Sequence, residues 1–113
     1  MVKLIALLKR KPELTLEAFA QRWLEEHTKL SRELSGLLEY RINIATPRQE
    51  GEAEPLYDGT AEMWWESVEA MEEAFQTELG QRAGADADTF CAQRMHIYTD
   101  ENVILPNMQN ARQ

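Results

Sequence analysis

The chain has 113 residues, of which 43% are apolar, and its twelve basic and twenty acidic residues leave a net charge of −8. This length fits one domain, and the acidic excess argues against nucleic acid or an anionic membrane surface as a partner, since both require a basic footprint. The single cysteine, Cys91, excludes an internal disulfide framework and favours a cytoplasmic location, and no segment reaches the ~18 apolar residues of a membrane span.

The first two predicted elements are a strand and a helix. Val2 to Lys9 is apolar at nearly every position, so both faces of this strand should be covered. Thr15 predicts the N-cap of a helix that runs to about Glu33, and Gly36 predicts its end. At about 100° per residue, a histidine joins the apolar row of this helix, within an arc of roughly 80°. The row consists of Leu16, Phe19, Trp23, His27, Leu30 and Leu34.

The following segments predict two strands and a second helix. Residues 38–44 and 57–65 alternate apolar and polar side chains, which is typical of strands with two different faces. Ser67 predicts the cap of a helix that Gly80 closes. Its expected buried stripe is Val68, Met71, Phe75 and Leu79.

The C-terminal part predicts one more strand. Residues 81–92 are expected to form a short helix or a turn-rich excursion, and residues 95–105 the last strand, which Pro106 ends. We expect residues 1–106 to form the domain and residues 107–113 to form a flexible tail.

The order β-α-β-β-α-β predicts an α+β, ferredoxin-like sandwich, in which both helices cover one side of a four-stranded antiparallel sheet. The other side would then expose Ile5, Leu7, Trp64 and Tyr98. Exposed apolar faces of this kind usually mark interfaces. We therefore expect a homodimer through the sheet face, a dimeric α+β barrel with a sheltered space between the two sheets.

His27 is the strongest candidate for chemistry. Its side chain is either a satisfied core histidine or a general acid or base beside an apolar cavity, because imidazole transfers protons near neutral pH. Glu26 points about 100° away around the helix, so a carboxylate partner must come from elsewhere.

Strand-face polar residues are the second group of candidates. Asp58 and Glu62 share one face of the third strand, where they are either acid/base or orienting groups, or members of surface ion pairs. Arg41 and Asn43 on the neighbouring strand can share that face and contact the ligand or pair with these carboxylates. His96 and Cys91 are expected to be structural, and no HxH, HxxxH or CxxC spacing predicts a metal site.

Three stretches resemble the EthD-like family of the dimeric α+β barrel superfamily. They are "FAQRWLEEHTKL", "GLLEYRIN" and "YDGTAEMWWESVEAMEEAF", which follow one another in the family's order, and the resemblance covers almost the whole chain. The resemblance implies a ferredoxin-like subunit, a face-to-face homodimer and a pocket between sheet and helices. By matching position, the resemblance implies that His27 corresponds to the family's helix histidine, and that Asp58 and Glu62 correspond to its acids on strand three. The chain departs from the family at "DENV", where Asn102 replaces a histidine.

The leading functional hypothesis is a cofactor-independent enzyme in a catabolic or polyketide-type pathway. It would move a proton next to a carbonyl in a small hydrophobic or aromatic compound, and so act as an isomerase, cyclase or dehydratase. In this hypothesis His27 is the acid or base, Asp58 or Glu62 orients it or polarises the substrate, and Trp23, Tyr40 and Trp64 form the apolar wall. The alternatives are a non-catalytic dimeric ligand-binding accessory protein, a small monooxygenase with or without haem, and a purely structural dimer.

Overall fold

The computed structural model describes residues 1–105, and the predicted flexible tail lies outside the described residues. Four strands and a series of helices alternate along this part of the chain. The strands are β1 (Val2–Arg10), β2 (Glu39–Ile44), β3 (Gly59–Trp65) and β4 (Cys91–Thr99). The helices are α1 (Leu16–Gln21), a π-helical segment (Arg22–His27), α2 (Thr28–Ser31), α3 (Val68–Gln76) and α4 (Glu78–Ala87).

The strands form one antiparallel sheet in the order β2-β3-β1-β4. Ala6 in the central strand lies opposite Ala61 on one side and His96 on the other, which sets the register. Even-numbered β1 residues are buried beneath the helices, whereas Ile5 and Leu7 point to the other side and are half-buried. The predicted ferredoxin-like sandwich is confirmed.

The first helical run is wider than an ordinary α-helix over part of its length. In an α-helix at 100° per residue, side chains four apart drift by about 40° at each step. The π-helical segment, Arg22–His27, has wider turns and removes this drift. Four residues spaced four apart are consequently all buried: Phe19, Trp23, His27 and Ser31. Thr15 caps the start through a hydrogen bond from the Ala18 amide, as predicted.

Gly36 and Gly59 are placed by backbone requirements. Gly36 has φ +74°, a left-handed conformation that glycine adopts without steric cost, and it follows the predicted end of the helical run. A Cβ at Gly59 would lie 2.6 Å from both the Asn43 carbonyl oxygen and the Trp23 ring. Glycine at this position therefore allows the Trp23 indole to pack directly on the start of β3.

The second helical region differs from its prediction. The chain forms two helices, because Thr77 caps α4 by accepting a hydrogen bond from the Gly80 amide. Gly80 lies in the first turn of α4 rather than closing α3. Of the predicted stripe, Met71 is buried and Phe75 is half-buried, whereas Val68 is 37% exposed, and Ala74 joins the buried side of α3.

The last strand lies closer to the N-terminus than the predicted strand over residues 95–105. β4 spans Cys91–Thr99, because Thr99 lies opposite Lys3 where the pairing with β1 ends. Tyr98 pairs with Leu4 and therefore belongs to the helix side, so its predicted place on the uncovered face is wrong. Met95 and Ile97 occupy that face instead, opposite Leu7 and Ile5.

Candidate functional site

A cavity of about 100 Å³ lies between the helix-covered face of the sheet and the helices. We call it the helix-side cavity. Its wall is mostly apolar, and the polar side chains that reach it come from three different parts of the chain. The lining residues are Leu4, Ala6, Leu8, Trp23, His27, Ser31, Leu34, Tyr40, Ala61, Met63, Phe75, Ala83, Gly84, Ala87, Arg94 and His96.

His27 lies in this wall at the end of the π-helical segment and is 8% exposed. Its Nδ1 lies 2.9 Å from Oδ2 of Asp86, and its ring meets the Phe90 ring edge-on, with the two centroids 5.3 Å apart. A carboxylate can only accept a hydrogen bond from this nitrogen, so Nδ1 carries the proton. The neutral ring therefore has its lone pair on Nε2.

The protonation of His27 follows from its surroundings. Burial lowers the pKa of His27, and the positive charges of Arg22 and Arg94 lower it further. Asp86 acts in the opposite direction, but the net shift is downward. Since the ordinary value is 6.5, His27 is a neutral imidazole at pH 7, which is the form that accepts a proton.

Asp86 is held as an ion by its own partners. Burial raises the pKa of this carboxyl, but hydrogen bonds from Arg22 and His27 outweigh burial, and the net shift is downward. Arg22 Nη2 lies 2.6 Å from Oδ1, whereas His27 uses Oδ2. The two oxygens thus fix the carboxylate plane and, through it, the orientation of the imidazole.

Tyr40 brings a phenol to the same cavity. Its hydroxyl lies 2.8 Å from Ser31 Oγ, and either oxygen can be the donor. Burial raises the pKa of Tyr40, so the group remains a phenol and a potential proton donor. Trp23, 1% exposed, completes this side of the wall. Three of the predicted site residues are therefore brought together: His27, Trp23 and Tyr40.

Four other predicted site residues lie on the opposite side of the sheet, which we call the open face. Glu62 contacts Lys3 Nζ at 2.7 Å and accepts a hydrogen bond from Asn43 at 2.6 Å. Lys3 and Arg41 lie over the Trp64 ring, 4.7 and 5.0 Å from its centroid. The hydrogen bond from Lys3 lowers the pKa of Glu62, so this group is an ion-pair partner rather than a proton donor.

Asp58 is separate from both groups. It is 1% exposed, accepts a hydrogen bond from the Arg10 amide at 2.8 Å and forms an ion pair with the Arg10 guanidinium. A larger cavity, of about 540 Å³, lies beside this pair, between α1 and the residues around 45–55. Both oxygens of Asp58 accept hydrogen bonds from Arg10, so this carboxylate stabilises the end of β1. The smaller helix-side cavity is the better candidate because its histidine keeps an unused nitrogen.

Sequence reasoning missed Asp86, the carboxylate that contacts His27. The sequence predicts a short helix or turns over residues 81–92, and these two alternatives do not fix the direction in which Asp86 points. Ala83 and Ala87, four residues apart, are both buried in α4. Small apolar residues at that spacing were the available signal, because they place Asp86 at the edge of the buried face.

Residues 1–105 contain neither a cluster of metal-binding side chains nor a helix suited to cross a membrane. No group of three or more histidine, cysteine, aspartate or glutamate side chains in this range could hold a metal ion. Within the same range, no helix is long and apolar enough to cross a bilayer.

Comparison with known proteins adds a family match and several similar structures. The EthD domain matches residues 11–94. An EthD family protein from Bacillus halodurans is 28% identical, with a TM-score of 0.74 over 90% of this chain and 99% of that chain. No curated protein matches the sequence.

More distant structures share the fold. A dimeric protein of unknown function with a ferredoxin-like fold, from Bacteroides fragilis, is 14% identical, with a TM-score of 0.65 over 88% of this chain and 95% of that chain. SnoaB, a cofactor-independent oxygenase from Streptomyces nogalater, is 10% identical, with a TM-score of 0.64 over 94% of this chain and 97% of that chain.

Proposed function

We propose that this chain, which belongs to the EthD domain family, is a cofactor-independent enzyme. It removes a proton from a carbon next to a carbonyl in a small, largely apolar compound, in an isomerisation, cyclisation or dehydration. The observation that carries the proposal is the neutral His27 ring in the wall of an apolar cavity, with Nδ1 bound to Asp86.

The chemical step follows from this arrangement. Nε2 of His27 accepts the proton, and the electron pair of the broken C–H bond moves to the carbonyl oxygen to form an enolate. Asp86 stabilises the resulting imidazolium through Nδ1, and Arg22 keeps Asp86 ionised. The imidazolium then returns the proton to another atom of the product, or to a leaving hydroxyl.

Tyr40 is placed to support the enolate oxygen. The Ser31 hydroxyl has one proton, and its oxygen lies 3.3 Å from the His27 carbonyl oxygen and 2.8 Å from the phenolic oxygen. When Ser31 donates to the phenolic oxygen, the proton of Tyr40 is free to point into the cavity. A hydrogen bond aimed at developing charge in apolar surroundings is worth more than the same bond in water. Asp86 thus takes the orienting role that the sequence suggested for Asp58 or Glu62.

A second copy of the chain covers the open face in this proposal. Met95 and Ile97 are 46% and 48% exposed and lie beside Ile5 and Leu7 in the middle of the sheet. Contiguous apolar side chains on a sheet face are typical of interfaces. Dimeric proteins of the same fold from Bacteroides fragilis and Thermobifida fusca make a homodimer the natural occupant.

Hydrogen–deuterium exchange tests the proton transfer directly. The protein is incubated in D₂O with small cyclic ketones and γ-keto acids, and loss of the protons next to the carbonyl is followed by ¹H NMR. We expect catalysed exchange for at least one compound, and His27→Gln lowers its rate at least about a hundredfold. Lys29→Gln is the matched control, because Lys29 lies on the exposed side of the same helical run.

Two outcomes would contradict the proposal. One is exchange in the His27 variant at the wild-type rate, and the other is the absence of catalysed exchange for every compound. A compound that binds in the helix-side cavity without exchange would favour the non-catalytic ligand-binding protein instead.

A further inference from the structure

We infer that the substrate of this cavity is an anion, a compact carboxylate whose charged group binds Arg94 and His96 while its apolar body lies against Trp23 and Tyr40. The inference rests on the proposed function, because it names the class of compound that the helix-side cavity accepts. It depends on the charges of the cavity wall.

The wall of the helix-side cavity has the opposite charge balance to the chain. The protein carries twenty acidic residues against twelve basic residues. None of the residues that line this cavity is acidic, whereas Arg94, His27 and His96 all reach it. An apolar cavity with a cation and no anion in its wall is complementary to a negatively charged ligand.

Arg94 is half-buried and keeps part of its hydrogen-bonding capacity. It lies opposite Leu8, on the helix side of β4. Its Nη2 donates to Asp88 at 2.8 Å and to the Gly84 carbonyl at 3.4 Å. Within residues 1–105, the hydrogen bonds of Arg94 all leave from Nη2. Nε and Nη1 therefore have no partner in this part of the chain and remain available for charge-assisted hydrogen bonds to a carboxylate.

Arg94 also lies within electrostatic range of both histidines. Its charge contributes to the lowered pKa of His27 and, together with the larger effect of burial, to the lowered pKa of His96. His96 is exposed and lines the cavity, so the cavity reaches the surface at β4. A carboxylate at this opening receives charge-assisted hydrogen bonds from Arg94 and a further hydrogen bond from the neutral ring of His96.

The position of the cation fits the proposed step. Proton removal by His27 creates an enolate, and a cation near the reacting carbonyl stabilises that negative charge more than it stabilises the ground state. The volume of about 100 Å³ limits the apolar body to a single ring or a short chain, because cavities that hold drug-sized ligands are ~300 Å³ or larger.

Benzoate and its neutral isostere benzamide form the test pair. Their dissociation constants for the full chain are measured by NMR titration, with the ring signals of His27 and the indole signal of Trp23 locating the site. We expect benzoate to bind at least about tenfold more tightly than benzamide, because hydrogen bonds between two charged groups are stronger than those to a neutral amide. Arg94→Gln should remove this preference, whereas Arg94→Lys should keep part of it. His96→Gln should weaken benzoate by about threefold.

Arg82→Gln is the matched control, since it removes the same charge from an exposed position of α4 outside the cavity wall. A thermal melt shows that each variant is folded. Equal binding of benzoate and benzamide would overturn the inference, as would an unchanged preference in Arg94→Gln, or no benzoate binding at millimolar concentration.

The two proposals fail in different ways. If His27-dependent exchange is found but benzoate is not preferred, the anionic substrate is wrong and the proton transfer stands. If benzoate binding depends on Arg94 but no compound exchanges its proton, the proton transfer is wrong and the anion site stands.

Discussion

The two faces of the sheet use polar side chains in different ways. On the open face, opposite charges pair directly: Lys3 contacts both Glu62 and Glu101, and Asn43 donates to Glu62. On the helix side, the His27 ring has one hydrogen-bond partner among residues 1–105, Asp86, and it lines an apolar cavity. The charges on the open face neutralise one another, whereas the proposed chemistry depends on a single titratable ring whose second nitrogen stays available.

Adjacent tryptophans give the sharpest contrast between the faces. Trp65 is fully buried, donates a hydrogen bond to the Ser35 carbonyl at 2.9 Å and packs against Phe75. Trp64 is covered by the flexible side chains of Lys3 and Arg41. We expect Trp65→Ala to lower the free energy of unfolding by about 3–5 kcal/mol and Trp64→Ala by less than half as much, measured by urea denaturation. Equal losses would show that the two faces are packed alike.

The proposed dimer gives the next largest effect. Ile97→Lys places a charge among the apolar side chains of the open face, opposite Ile5, and should weaken self-association at least about a hundredfold, or ~2.7 kcal/mol. Tyr98→Lys is the matched control, because the next residue of the same strand lies on the helix side. Light scattering across a dilution series measures both variants. A dimer that survives Ile97→Lys would place the interface elsewhere.

Removal of Asp58 and removal of Asp86 should affect stability and the proton-exchange rate in opposite order. Asp58→Ala removes the carboxylate that binds both the amide and the guanidinium of Arg10 at the end of β1 and should cost about 2–3 kcal/mol of stability. Asp86→Ala should cost less than about 1 kcal/mol, since the pair with Arg22 is partly solvated. The proton-exchange rate should show the reverse order, with a loss of about tenfold or more for Asp86→Ala only. Slower exchange in a folded Asp58 variant would return Asp58 to the mechanism.

The smallest expected effect is on the pH dependence of stability. Burial lowers the pKa of His27 in the folded state, so between that value and the ordinary 6.5 the unfolded chain binds more protons. The free energy of unfolding should therefore rise with pH through this window and lose this contribution as the pH falls below 6.5. Urea denaturation between about pH 5 and 8 should show a shallower rise for His27→Gln, and an identical rise would show that His27 titrates normally.

The sequence predicts the sheet and the place of His27 because both depend on local periodicity. Alternation along β1 and β3 separates Trp65 from Trp64, and the row from Phe19 to His27 places the ring against the core. The partner of His27 depends on how α4 packs across the first helical run, which joins residues 59 positions apart. The π-helical segment is likewise not visible in the pattern, because an i+4 row alone does not show how wide the turns are.

The places of Asp58 and Glu62 show a second limit. Period-two alternation assigns both residues to one strand face. However, β3 begins at Gly59, so Asp58 lies before the strand, where it accepts a hydrogen bond from the Arg10 amide. The pattern alone could not show that the open face is filled with ion pairs, because pairing depends on which residues of β1 and β2 lie opposite.

Long-range ¹H–¹⁵N NMR of the histidine rings tests the central claim most directly, because it identifies the protonated nitrogen of His27 without any substrate. The account predicts a neutral ring at pH 7 with the proton on Nδ1, bound to Asp86, and an unprotonated Nε2 whose signal responds to compounds entering the helix-side cavity. A proton on Nε2, or an imidazolium at pH 7, would contradict the role of His27 as a base.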